Sequence, residues 1–240
     1  MLSVVNLITH DIEVPQIVNT DALSRELTSI RQADRVDIIV ANPPFGGVVG
    51  DGMETNFPLN YRTKESADLF LILFIQMLKD GGRAGIVLPD GSLTGEGVKA
   101  RVRQKLLEDC NVHTIVRLPQ SVFAPYATVN TNLIFFEKGK KTKDIWYYEH
   151  NLPEGAKAYN KTKPIRIEEF EPLKAWWTDR KESEVSWKVS METIIERNYD
   201  LDIKNPNKVV EEIVYDRVTI VKKLEESFLK SLSLLNELKG

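Results

Sequence analysis

Hydrophobic and polar positions set the frame before any motif is considered. Apolar Leu2, Val5, Leu7 and Ile8 fit the end of a helix. Residues 14–23 read as a strand running into an Asn19-Thr20-Asp21 turn. A helix over 22–31, capped by Asp21, is the competing use of that aspartate. Ile38, Ile39, Val40 and Ala41 form an unbroken apolar run after Asp37, the mark of a short buried strand, and Pro43-Pro44 stop it. Residues 69–78 are apolar nearly all round and predict a helix buried against a sheet, opened by Ser66 as N-cap and closed by Asp80-Gly81-Gly82. A strand over 83–91 follows, then an amphipathic helix over 98–109 with Arg101 and Arg103 on its exposed face. Strands over 112–119, 132–136 and 145–148 complete a pattern that predicts an α/β fold.

Between these elements, residues 46–64 are glycine-rich and irregular, and a loop of that length in a compact domain predicts a mobile functional flap. Past residue 137 the periodicity loosens. Lys138-Gly139-Lys140-Lys141-Thr142-Lys143 reads as a solvated hairpin tip carrying a small basic cluster. Residues 151–204, with Pro153, Pro164, Pro172 and the pair Trp176-Trp177, read as an irregular connecting segment packed on the domain of residues 1–150. From Asn205-Pro206, apolar positions recur at Val210, Val214, Val218, Val221, Leu224, Phe228, Leu232, Leu235 and Leu238. Spacings of three and four sustained this long predict an amphipathic helical arm over 205–240 with a seam for a partner helix, and Asp216-Arg217 is where it can break in two.

Composition narrows the class. Hydrophobic residues make up 42% and charged ones 28% of the 240, as in ordinary soluble globular proteins. No apolar run approaches the ~20 residues that cross a bilayer, and no basic-then-apolar leader opens the chain, so no membrane role is expected. The single Cys110 excludes an internal disulfide and suits a reducing cytoplasm. His10, His113 and His150 have no metal-ligand spacing, so no metal site is expected. A net charge of −3 is a poor footprint for gripping DNA unaided. Most phosphate contacts, if DNA is the substrate, would then fall to a partner or to residues outside this sequence.

Candidate chemistry lies where the apolar run at 38–41 ends. Proline fixes its own φ and drives the preceding residue into an extended shape, so Asn42 is held stiffly at a strand exit with Phe45 just beyond. Open α/β sheets place ligands at the carboxyl ends of their strands. The Asn42 side-chain oxygen and the Pro43 carbonyl can accept both hydrogens of an exocyclic amine, which biases its nitrogen toward a tetrahedral shape and frees the lone pair. The Phe45 ring can stack on a base swung out of a duplex. A plain Asn-Pro turn is the simpler use of the same residues.

Asp37-Ile38-Ile39-Val40-Ala41-Asn42-Pro43-Pro44-Phe45-Gly46-Gly47 resembles the catalytic motif of adenine-N6 DNA methyltransferases. More narrowly, it is similar to that of the modification subunit of type I restriction–modification systems. Ser66-Ala67-Asp68-Leu69-Phe70 with residues 81–91, then 123–136 and 186–201, extend the likeness over nearly the whole chain. The resemblance implies a partial Rossmann-like methyltransferase sheet with flanking helices and a C-terminal helical arm. It implies Asn42, Pro43, Pro44 and Phe45 as the catalytic set and S-adenosylmethionine as cofactor. Asp21 would accept a hydrogen bond from the cofactor's adenine amino group, Asp68 and Phe70 would lie near its adenosine, and Phe123 or Tyr126 would form the second face of a clamp on the target base. The partners implied are DNA, a specificity subunit on the 205–240 arm, and a restriction subunit.

This chain departs from the family in one respect. The glycine-rich turn that receives the cofactor precedes the Asp21 strand in the family, and no such turn is found here; Gly91, Gly95 and Gly97 do not form it. The chain therefore looks like the carboxyl-terminal part of a modification subunit. Its early strand should be orphaned or repositioned, and alone it should bind S-adenosylmethionine weakly or not at all. Two other functions share these features. One is a non-catalytic assembly fragment acting through the arm. The other is a protein-glutamine N5-methyltransferase, which uses a similar Asn-Pro-Pro-aromatic motif but is disfavoured by the arm and by Phe45.

Overall fold

The computed structural model describes residues 2–208 and 217–237, and the chain divides into two compact units, Met1–Asn207 and Lys208–Gly240. The first unit opens with α1 (Leu2–Ile8), which has no buried residue. A six-stranded sheet follows, built from β1 (Val36–Ala41), β2 (Leu78–Pro89), β3 (Cys110–Arg117), β4 (Thr131–Lys138), β5 (Asp144–Glu149) and β6 (Ser186–Ser190). Their spatial order is β1-β2-β4-β3-β5-β6. β1 runs parallel to β2 and β3 parallel to β5, while β4 is antiparallel between β2 and β3, and β6 is antiparallel on β5.

Two helices cover one face, α2 (Ser66–Met77) and α4 (Val98–Asp109), with the short α3 (Asp90–Leu93) between them. Leu69, Ile72, Ile75, Leu106 and Leu107 meet Ala84, Ile86, Leu88, Ile134 and Phe136 there in one core. Cys110 sits in that core, where burial pushes its thiol pKa up to about 12, so it is a packing residue and not a nucleophile. The opposite face is partly covered by α5 (Glu171–Thr178), whose Trp177 ring lies edge-on to Phe135 at 4.8 Å. After β6 comes α6 (Met191–Glu196), capped by the Ser190 hydroxyl, which accepts the Thr193 amide.

Several expectations need correcting. Residues 14–23 form no strand; Ile17 and Val18 are exposed, and without a neighbour to pair with, an extended segment cannot satisfy its backbone as a strand. The competing helix over 22–31 shrinks to turns and a 3-10 turn at Leu27–Ser29. β1 is not buried on both sides: Val40 is 86% exposed, none of the described residues covering that face at the sheet edge. Residues 46–64 are not wholly irregular. Val49 pairs with the Lys64 carbonyl, and Phe57 is only 2% exposed beneath two 3-10 turns, Met53–Asn56 and Leu59–Tyr61. Ser66 is not the cap of α2 but its first residue, and its hydroxyl donates to the Pro44 carbonyl instead. Arg103 is buried, not exposed. The segment 151–204 contributes α5, β6 and α6 to the unit, so it is not irregular throughout.

The second unit contains α7 (Arg217–Glu237), within the predicted arm. Val218, Val221, Leu224, Phe228, Leu232 and Leu235 are all exposed along it. The expected seam positions Val210, Val214 and Leu238, and Asp216 of the expected break, lie outside the described residues.

Candidate functional site

β1 delivers Asn42 to the end of the sheet where β2 and β3 also finish. Val40 lies opposite Gly85 and Ala41 opposite Ile86, so Asn42 emerges beside Val87. Pro43 is buried and Asn42 is exposed, the arrangement that a strand halted by two prolines imposes. The Ser66 hydroxyl donates to the Pro44 carbonyl at 3.3 Å and the Ser66 amide donates to the Gly47 carbonyl at 2.9 Å, stapling the loop onto the start of α2. Gly47 is close to obligatory there, since a Cβ would stand 2.7 Å from the Ser66 hydroxyl, and Gly46 has φ +63°, which favours glycine.

Asn42 and Phe45 face different spaces. Asn42 stands at one end of an apolar trough of about 730 Å³ that crosses the uncovered sheet face over β1, Gly85, Val87, Leu133 and Phe135 to His113 and Trp177. Phe45 borders a hollow of about 530 Å³ walled by Pro89–Ser92, Gln120 and residues 127–130. Phe123 packs against Phe45 edge-on, with centroids 5.3 Å apart and planes at 75°. A sandwiched base needs about 7 Å between parallel rings, twice a van der Waals contact. In this arrangement the two rings touch each other and leave no slot. Tyr126 is 87% exposed and does not line the hollow.

A polar layer at the same end was not foreseen. Asp90 borders the hollow, and one of its oxygens accepts the Asn132 amide at 2.7 Å. Its other oxygen lies 3.5 Å from the Arg117 guanidinium, which pairs more closely with Asp202 at 2.7 Å. The Asn132 oxygen and Thr131 hydroxyl are buried with no protein partner. The usable signal was position: Asp90 ends a strand adjacent to β1, at the carboxyl edge where ligands gather. What the sequence could not give was the antiparallel pairing of β4, which brings Asn132 across to it.

The residues assigned to the cofactor sit in different local settings. Asp21 is an exposed turn residue whose carboxylate accepts the Leu23 amide at 2.9 Å. Asp68 is buried, and its carboxylate meets Lys99 at 3.1 Å; burial holds its pKa above the usual range while Lys99 pulls it down. Phe70 packs on Phe74. None of the three borders the trough or the hollow. No group of three or more His, Cys, Asp or Glu among the described residues is arranged to hold a metal ion, and no described helix is long and apolar enough to cross a membrane.

Comparison with known proteins places these features in context. The family model described as N-6 DNA Methylase matches residues 1–213. The methylase subunit of the type I restriction enzyme EcoEI from Escherichia coli is 50% identical over 214 residues, covering 86% of this chain and 43% of that protein. A modification subunit of a putative type I restriction enzyme from Vibrio vulnificus YJ016 superposes with TM-score 0.79 at 42% identity, over 85% of this chain and 45% of that one. A chain from a study of complex assembly and conformational transition of the type I R-M system gives TM-score 0.81 at 39% identity, over 99% of this chain and 51% of that one. The chain thus spans about half the length of these relatives.

Proposed function

Because this chain belongs to the N-6 DNA methylase family, we propose that it is the part of a type I restriction–modification methylase subunit that holds the target adenine for methylation at N6. In this family the methyl donor is S-adenosylmethionine. The observation that carries the reading is the placement of Asn42: exposed, held by Pro43-Pro44 at the carboxyl end of β1, with Phe45 beside a separate hollow.

The work assigned to this chain is to hold the amine. Asn42 Oδ1 and the Pro43 carbonyl accept its two hydrogens, and Phe45, which lines a hollow apart from the trough at Asn42, must turn toward that amine to offer its ring to the base face, where stacking contributes about 1–3 kcal/mol. For Phe123 to serve as the opposite face it must turn away from Phe45. That movement would open the slot between the 120–130 loop and Gly46. We assign no cofactor contact to Asp21, Asp68 or Phe70 in this chain on its own, since none of them borders the trough or the hollow.

α7 supports a second part of the proposal. Its exposed apolar row, Val218, Val221, Leu224, Phe228, Leu232 and Leu235, suits a partner helix, and the partner we propose is the specificity subunit of the same complex. The reading is tested with the assembled methylase. Replacing Asn42 with alanine should reduce transfer of labelled methyl groups to DNA about 100-fold or more, the usual scale for losing one preorganised polar contact to the reacting group. Retention of more than a third of the activity would remove Asn42 from the proposed role.

A further inference from the structure

At the opposite end of the sheet from Asn42 lies a groove of about 620 Å³ that the proposed reaction does not use. It is lined by Lys140, Lys141 and Lys143 of the β4–β5 turn, Asn111 and His113 of β3, Asp144 and Trp146 of β5, and Arg180 just past α5, Asp144 being its one carboxylate and paired with Lys188 at 2.9 Å. These cations come from two chain segments about forty residues apart, so sequence alone shows only the first three as a basic hairpin tip.

Arg180 makes the groove more than a solvated patch. Its guanidinium lies over the Trp177 ring at 4.7 Å and the Trp176 ring at 5.5 Å, and it donates to the His113 carbonyl at 3.2 Å. Packing and that hydrogen bond fix the fork, while burial pushes the Arg180 pKa down. Lys140 is offset by Glu137, and Lys188, which sits over the Trp146 ring, pairs with Asp144. Among the described residues no carboxylate stands within ion-pair distance of Arg180, Lys141 or Lys143. A partly desolvated, preorganised guanidinium without a counter-charge is unfavourable until an anion completes it. Against a whole-chain charge of −3, this is a local excess of positive charge with an aromatic floor.

We propose that this groove binds the phosphodiester backbone of duplex DNA, as a contact separate from the site that holds the base. The identity of the anion rests on the DNA-methylase reading above. The two ends lie roughly 20 Å apart along the strands at ~3.3 Å per residue and about 15 Å apart across three strand spacings, so roughly 25 Å in all, which is about seven base pairs of duplex, within the reach of one DNA molecule. Arg180 supplies a fork for phosphate oxygens, and Lys141 and Lys143 follow the backbone as point charges.

The test measures fluorescence anisotropy of a labelled 20-base-pair duplex against the full chain over a series of salt concentrations. Replacing Lys141 and Lys143 by glutamine should weaken binding at least tenfold at low salt and lower the salt slope by about 2, since each phosphate contact contributes about 0.9. Arg180→Met should act in the same direction; the double lysine change, on exposed positions, keeps the test valid if that variant misfolds. Changing Lys161 and Lys163 to glutamine removes the same charge elsewhere and should leave binding within twofold. Equal losses in both lysine pairs, or no loss in either, would overturn the site. So would displacement of the duplex by free phosphate at constant ionic strength, or tighter binding of a poly-glutamate peptide than of DNA, which would mark the groove as a free-anion or acidic-protein site. The methylation assay on Asn42 is independent of all these results, so loss of this site and loss of the functional reading are told apart.

Discussion

Asn42 keeps its amide at the surface because the next two residues cannot continue a sheet: neither proline has an N–H to pair, and Pro43 is already buried. That local logic is complete in the sequence. Arg103 shows the opposite case. Helical periodicity sends it outward, yet it is 1% exposed and donates to the carbonyls of Tyr199 at 2.6 Å, Thr94 at 2.7 Å and Gly95 at 2.5 Å. It joins the turn after α3 to residues about a hundred positions later, where Asn198 and Tyr199 both take positive φ. Replacing Arg103 with methionine should therefore cost about 3 kcal/mol, because several buried carbonyls lose a charged donor at once. Urea denaturation measures this, and a loss under about 1 kcal/mol would mean that water replaces the guanidinium. No pattern in residues 98–109 signals that role, since the partners are backbone atoms of distant segments.

Among the elements, β1 is the one under most tension with water. Its apolar run reads as a strand covered on both faces, but Ile38 is 54% and Val40 86% exposed along the trough, and β1 is an edge strand. Exposed apolar edge strands invite pairing with another chain. Val40→Lys should shift the isolated chain toward monomer in sedimentation experiments near 100 µM, with folding stability changed by less than about 0.5 kcal/mol. A wild-type chain already monomeric at that concentration would show that the trough is innocuous. Strands with alternating or continuous apolar runs and a partner beside them, β3 to β5, follow the sequence pattern closely, and so does the span of α4, whereas β2 begins at Leu78, five residues before the expected strand, and takes in the Asp80-Gly81-Gly82 expected to close α2 as a turn. Residues 14–23 carry an equally good strand pattern and form none. Strand propensity is an offer to pair, and the outcome depends on a neighbour supplied by another part of the fold.

Across the whole molecule, acid sensitivity follows from two histidines, His150 buried and His113 half-buried. Burial, reinforced by Arg180, lowers the His113 pKa to about 4, and burial lowers that of His150 against the pull of Glu169. Both are neutral in the fold, whereas the unfolded chain takes up protons near the ordinary value of about 6.5. Their contribution to stability is therefore fully present above about pH 6.5 and is lost as pH falls toward 4. Urea midpoints should drop over that window, and His113→Asn should flatten the drop. A midpoint that holds steady from pH 7 to 5 in the wild type would contradict this assignment.

The sequence by itself determined the strand that ends at Asn42, the helices of the covered face, the apolar row of the arm and the family of the catalytic motif. These rest on local dihedral limits and on periodicities of two and 3.6, which neighbouring residues express without help. Only the tertiary structure decided which strand would go unpaired, that Asn42 and Phe45 face different spaces, that Asp90 and Asn132 meet, and that Arg180 joins three lysines in one groove. Each of those is a contact between residues far apart in the chain, and chain-distant contacts are set by pairing register and by which faces find cover.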